Sequence, residues 1–296
     1  MRQFTSLFLA AIVAPVTGFA QIVVNDSWVD GGRDNGTDLL DAAWWTSSAS
    51  TGIEVSVGSL GMVTGTSGRG IHGTFAPQTL AIGQELRATY TFTTPATVGT
   101  ALSSPFRVAM MDFNNAGLAA DLASSSSSPQ PLYIGLPGYM ADFDVNTGAT
   151  SDTSVRKHNL ANTGGRLLGT TAEWDSLGSG PDTGFTFAPN TGYVGVFSVT
   201  RTGADSVDIF SSLSQGGNLL ASHTQSDLTG IANHFGMLAF WANSNTFGSS
   251  GTPGTADNGL DFSNITIELI PEPSSAALLL TGMLLLSQPT RRRVKA

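Results

Sequence analysis

A period of two recurs from residue 53 to residue 270, and it restricts the fold more than any other feature. In Glu85 to Thr93, Leu86, Ala88, Tyr90 and Phe92 fall on one side, while Glu85, Arg87, Thr89, Thr91 and Thr93 fall on the other. This is the pattern of a half-buried strand. In Leu260 to Ile270, Ile265, Ile267 and Leu269 alternate with Thr266 and Glu268 in the same way. Further strands are expected at Ile53 to Val57, Phe106 to Phe113, Tyr139 to Val145, Ser154 to Asn159, Tyr193 to Arg201, Ser206 to Phe210, Leu219 to Thr224 and His234 to Ala242. Turn signals separate them, among them Asn146-Thr147-Gly148, Asn190-Thr191-Gly192, Gly203-Ala204-Asp205, Gly216-Gly217-Asn218 and Asp257-Asn258-Gly259. Only Leu39 to Ala43 suggests a short amphipathic helix. So many short strands predict an all-β chain folded as a two-sheet antiparallel sandwich or jelly roll.

Such a sandwich must be stable without covalent staples, because the chain has no cysteine. A stretch of about 250 residues can bury enough surface to manage this. Disulfides, thiol catalysis and cysteine-ligated zinc are excluded.

The two ends read differently from the middle. Arg2, the mostly apolar stretch from Phe4 to Val13, Pro15 and the small residues of Gly18-Phe19-Ala20 make a secretory signal peptide over 1–20, with cleavage expected after Ala20 by signal peptidase. At the other end stand Pro271, Glu272 and Pro273, then a mostly apolar run from Ala276 to Leu286, then Arg291, Arg292, Arg293 and Lys295. The run's 11 residues would span about 16 Å as a helix. A hydrocarbon core is about 30 Å thick, so this is a weak span, oriented by the basic cluster on the cytoplasmic side. The order of polar motif, apolar run and basic cluster resembles the PEP-CTERM sorting signal of bacterial exported proteins. That resemblance implies recognition by exosortase, a membrane-embedded cysteine protease-transpeptidase. It also implies transient membrane contact, removal of 271–296 and delivery to the cell surface or extracellular matrix.

Three segments therefore result: the leader 1–20, a β-sandwich over 21–270 and the sorting signal 271–296. Without Arg2, Glu272, the three tail arginines and Lys295, 8 basic and 21 acidic residues remain, a net charge of −13. A field of this sign repels nucleic acid and anionic lipid, so neither is an expected partner of the sandwich. Within 21–270, Asn25-Asp26-Ser27-Trp28-Val29-Asp30-Gly31, Phe197 to Gly203 and Gly259 to Ile265 look like segments of concanavalin A-like lectin/glucanase (LamG-type) jelly rolls. The resemblance implies that the first and last strands pair, bringing Ile22 to Trp28 beside Asp261 to Ile270.

Function is less legible. Glycoside hydrolases on this fold carry two carboxylates on one strand, and the only Glu-x-Asp here, Glu173-Trp174-Asp175, lacks the second glutamate and sits among glycines suggestive of a loop. Glu54, Glu85 and Glu268 fall on outward strand positions. No local motif surrounds His72, His158, His223 or His234, so no catalytic residue is assigned. A structural calcium ion is a candidate at Asp142, Asp144 and Asn146, whose oxygens alternate like the start of an EF-hand loop before the match fails at Thr147 and Thr153. Asp30, Asp34 and Asp38 form a second acidic cluster, in which Arg33 favours a plain polar turn. Sugar binding would need an exposed ring, and Trp174 beside Asp175 is the candidate because its glycine-rich surroundings offer no obvious core. Of Trp44 and Trp45 one should face inward and one outward, and Trp241 should be core. The expected function is that of an exported surface or matrix protein with weak affinity for an extracellular polysaccharide. The alternative is a secreted polysaccharide-degrading enzyme, a glycoside hydrolase or lyase, on the same jelly roll.

Overall fold

A computed structural model describes residues 19–34, 40–47, 52–64, 68–99, 106–113, 116–122, 131–143, 151–243, 246–247 and 259–272. Fifteen strands run through them: β1 (Gln21–Asp26), β2 (Ala43–Thr46), β3 (Ile53–Ser56), β4 (Ser59–Val63), β5 (Arg69–Thr79), β6 (Glu85–Thr93), β7 (Phe106–Met111), β8 (Gly138–Phe143), β9 (Thr153–His158), β10 (Trp174–Ser179), β11 (Gly192–Arg201), β12 (Val207–Gln215), β13 (Asn218–Asp227), β14 (His234–Ala242) and β15 (Gly259–Ile270). They pair antiparallel in two sheets. One has the order β13-β12-β11-β6-β15-β4-β3, with β1 added beside β15, and the other β10-β9-β8-β7-β14-β5-β2. The expected two-sheet sandwich is therefore what the strands form.

Alternation builds the layer between the sheets. Leu86, Ala88, Tyr90 and Phe92 of β6 point inward with Phe197 and Val199 of β11 and Ile265 and Ile267 of β15. Facing them are Phe106, Val108, Met110, Tyr139, Phe143, Leu238 and Phe240 from the other sheet. Ring pairs cross the layer, with Tyr90 and Phe240 centroids 5.1 Å apart and Phe240 and Phe262 4.6 Å apart. Towards the β13 and β9 edges the layer turns polar: Thr153 Oγ1 meets Ser211 Oγ at 3.0 Å, and Lys157 and Tyr139 both reach Asp227 Oδ2 at 2.8 Å.

The strands β7, β8 and β14 are buried on both faces. Their outward residues Ala109, Met111, Met140, Met237, Ala239 and Trp241 pack under a second apolar cluster with Leu118, Tyr133, Leu136, Leu167, Leu168 and Trp174. The connections between β7 and β8 and between β9 and β10 thus fold back over the outer face of the seven-stranded sheet.

The pairing of first and last strands is present: Gln21 lies opposite Leu269 and Asp26 opposite Ile265. Three expectations need correction. Residues 39–43 do not form a helix where they are described, since Leu40 lies in a turn and Ala43 begins β2. Gly178 and the residues around it are strand β10, not loop, because Trp174 to Ser179 pair along β9 with an irregularity at Ser176/Gly178. The long strand β5 gave no alternation because Gly70, Gly73 and Pro77 interrupt it, and residues 75–77 bulge opposite Gly236. Pro273 and the apolar and basic parts of the tail, including Arg291, Arg292 and Arg293, lie outside the described residues, as do residues 1–18. Among the described residues no helix is long and apolar enough to cross a membrane.

Candidate functional site

The polar groups on the outer face of the seven-stranded sheet come together through strand register. Ser154, Asp142, Arg107 and Trp241 stand directly opposite one another on β9, β8, β7 and β14. Arg107 is buried; its Nε donates to Asp142 Oδ1 at 3.2 Å, its Nη1 donates to the Leu168 carbonyl, and its guanidinium carbon lies 4.5 Å from the Trp241 ring centroid. Arg156, on the neighbouring outward row, places Nε 3.8 Å from Asp142 Oδ2. Two guanidinium groups thus surround one carboxylate. Two donors there, Arg156 Nε and Trp241 Nε1, are buried without a hydrogen-bond partner among the described residues. A buried donor left unpaired costs about 1–3 kcal/mol, so this cluster favours an incoming acceptor, and its charge favours an anionic one.

On the same face His72 is fully buried. Its Nε2 lies 2.7 Å from the Leu118 carbonyl, which can only accept, so Nε2 carries the proton and Nδ1 faces the Tyr133 hydroxyl at 3.5 Å. Burial pushes this imidazole down to about 4, leaving it neutral at neutral pH. His158 is likewise lowered by burial and donates from Nδ1 to the Leu136 carbonyl at 2.7 Å. Both histidines pin covering loops, and neither faces solvent.

The exposed ring expected at Trp174 is not found. Trp174 is only 4% exposed, its Nε1 donates to the Leu167 carbonyl at 2.8 Å, and its ring lies 4.8 Å from that of His158. The glycines around it do not leave it in solvent; they let the 160–173 connection close over it. Asp175 is exposed and accepts from Asn159 Nδ2 at 3.1 Å. Glu173 is buried and accepts from the Arg166 backbone at 2.8 Å, so it closes a loop. Of the calcium candidates, Asp142 is taken up by Arg107 and Arg156, and two guanidinium groups oppose a cation there; Asp144 and Asn146 lie outside the described residues. Arg33 turns from Asp34 to a bidentate pair with Asp121 at 2.7 and 2.9 Å, Asp30 accepts from Gly32 N, and Asp38 lies outside the described residues. Among the described residues no group of three or more acidic or histidine side chains could hold a metal. Trp44 faces inward, Trp45 outward beneath Arg33, and Trp241 is buried, all as expected.

Sequence reasoning missed a second acidic pair. Glu54 on β3 and Asp261 on β15 flank Gly61 of β4, and a Cβ on that glycine would lie 3.1 Å from both Glu54 Oε1 and Asp261 Oδ1. Burial, and then the Glu54 charge, push the Asp261 carboxyl up to about 6. Only strand register brings these residues together, so no local spacing could have announced them.

No protein-family profile matches the chain, and no curated protein is similar to it. Solved structures similar to it include peanut lectin with a nine-residue peptide, at 7% identity over 85% of this chain and 98% of that one, with a TM-score of 0.46. Basic winged bean lectin with Tn-antigen gives 9% identity, coverages of 85% and 98%, and 0.47. Alginate lyase Aly36B gives 13% identity, coverages of 82% and 95%, and 0.43. The sandwich itself stands on the strand pairings described above, not on these likenesses.

Proposed function

We propose that the chain is exported, delivered to the cell surface or extracellular matrix through residues 271–296, and holds an acidic polysaccharide at the partly exposed Arg156 guanidinium on the outer side of its seven-stranded sheet. The observation that carries the binding reading is the Arg156 guanidinium, whose side chain is 25% exposed, whose Nε has no hydrogen-bond partner among the described residues, and which shares the Asp142 carboxylate with Arg107. A uronate carboxylate at the Arg156 guanidinium would pair that donor, while Trp241 Nε1 lies three strands away, beyond Asp142 and Arg107, and belongs to a separate contact. Export is supported by the fold's limits: β1 begins at Gln21, the residue after the expected leader cleavage, and β15 ends at Ile270, the residue before Pro271.

Retention of the full chain on immobilised polygalacturonate and on a neutral glucan tests the binding. At about 0.15 M salt, which screens the long-range repulsion from the net charge of −13, the acidic polymer should hold it more tightly, and Arg156→Gln should weaken binding by about 2 kcal/mol, the scale of one charge-assisted hydrogen bond. Equal retention on the two polymers would overturn the reading. For the export half, intact mass of the protein at its final location should lack Arg291 to Arg293; their presence in cells that contain an exosortase would refute sorting through this segment.

A second reading, hydrolysis, is favoured by one observation only. The Glu54 and Asp261 oxygens are at most about 6 Å apart across Gly61, an upper bound that reaches the separation of about 5–5.5 Å used by retaining glycosidase pairs. Release of reducing sugar that disappears in Asp261→Asn would support it.

A further inference from the structure

Several exposed apolar side chains stand at the end of the sandwich from which the chain runs on towards the tail. Register fixes that end: Ile270 lies opposite Glu85, Leu269 opposite Gln21, and His234 opposite Thr79. The connections 80–84, 159–173 and 228–233 all turn there. They expose Ile82 (53%), Leu160 (50%) and Leu228 (68%), and Ile22 (46%) at the start of β1 joins them. Glu272 lies against the same end, its side chain packed on Gly83 next to Ile82. At the opposite end Val194 and Leu219 are exposed on the β11 and β13 starts, away from the exit.

Chain length says what covers this end. Only five residues, 271–275, separate Ile270 from the apolar run that begins at Ala276. Extended, they reach at most about 18 Å. The run itself spans only about half of a hydrocarbon core of about 30 Å, so an inserted tail draws its flanking residues inward. Whenever 276–286 is in a bilayer, the end carrying Ile82 and Leu228 is kept within about 18 Å of the lipid interface. The net charge of −13 gives no long-range attraction to anionic lipid; here the tether imposes the proximity and the apolar side chains make contact favourable.

We infer that the end formed by Ile22, Ile82, Leu160 and Leu228 is a lipid-contacting surface that seats the sandwich on the bilayer while the tail is attached. This rests on the reading of residues 271–296 as a membrane-inserting sorting segment. The seat holds Pro271 and Glu272 at the interface, and it is lost from the membrane once the tail is removed.

Because the chain has no cysteine, single probes can be placed cleanly. Ile82→Cys, Leu228→Cys, Val194→Cys and Leu219→Cys, each in the full chain, carry an environment-sensitive fluorophore and are mixed with phosphatidylcholine vesicles, with or without nitroxide-labelled lipid. The probes at 82 and 228 should shift to the blue and lose most of their emission to the nitroxide lipid, while those at 194 and 219 stay water-like. Four water-like probes on a chain that cosediments with vesicles would overturn the seat and leave the tail reading standing. A companion variant, Leu279→Arg with Leu284→Arg, should not be anchored through the tail. If it cosediments with vesicles as well as the unmodified chain, the tail is not the anchor, and both the sorting reading and the seat fall. A blue shift at 82 and 228 that grows with protein concentration in the absence of vesicles would show that a second copy covers this end, and would overturn the lipid assignment.

Discussion

Replacing Trp174 by alanine separates packing from sugar stacking. The side chain is 96% buried under the 160–173 connection, donates one hydrogen bond of 2.8 Å to the Leu167 carbonyl, and lies 4.8 Å from the His158 ring. Removing a buried tryptophan costs about 3–5 kcal/mol through lost burial and the cavity left behind. The hydrogen bond accounts for about 1 kcal/mol of that scale and the ring pair for about 0.5–1.5 kcal/mol. For a chain of this size each kcal/mol lowers the melting temperature by about 2–4 °C, so Trp174→Ala should melt roughly 6–20 °C lower. Trp174→Phe keeps most of the volume and loses the donor, and should fall only a few degrees. Differential scanning calorimetry or a far-ultraviolet melt reads both. A Trp174→Ala protein melting within about 2 °C of the parent, yet weaker in polysaccharide binding, would refute the packing argument and restore the ring to a ligand surface.

The Asp26 carboxylate accepts from Trp28 N and Trp44 Nε1, and burial pushes it up to about 6 from the usual 3.8. A carboxyl raised in the folded state binds its proton more tightly folded than unfolded. Its contribution is complete below pH 3.8 and is lost as pH rises through about 6. Acidifying from pH 7 to 5 should therefore add about 1 kcal/mol from Asp26, with Asp261 acting in the same direction, and urea unfolding at the two pH values that gave less stability at pH 5 would contradict this. Asp227 ties Lys157, Tyr139 and Thr229 across the polar edge between the sheets, so Asp227→Ala should cost about 3–5 kcal/mol and Tyr139→Phe only about 1 kcal/mol. Equal losses in the two variants would show that the carboxylate is not the centre of that network.

The fold was legible where one face of a strand is wet. β6 was readable residue by residue because its outer face meets water and its inner face meets Phe197 and Ile267, so burial alternates strictly along Glu85–Thr93. β5 and β10 were not readable. In β5, glycines at 70 and 73 make room for Ser47 and Trp44, and a side chain at either would strike them. In β10, exposed Ser176 and Ser179 follow one buried tryptophan. Periodicity reports the difference between two faces, and it vanishes when neither face is plainly apolar or polar.

The same limit hid the polar cluster on the outer side of the seven-stranded sheet. β7, β8 and β14 read as near-continuous apolar runs, which normally means burial by regular structure on both sides. Here the outer side is buried by loops, and loops cover a sheet imperfectly because their own backbone groups need partners. The Leu118, Leu136 and Leu168 carbonyls find His72, His158 and Arg107, so three polar side chains on an otherwise apolar face are explained by the cover they hold. Arg156 Nε, Trp241 Nε1 and Trp45 Nε1 are among the groups left without a hydrogen-bond partner in the described residues once those needs are met. Trp174 was sought as an exposed ring and is buried, because glycine-rich sequence says that a segment can bend closely. It does not say whether it bends away from a ring or over it.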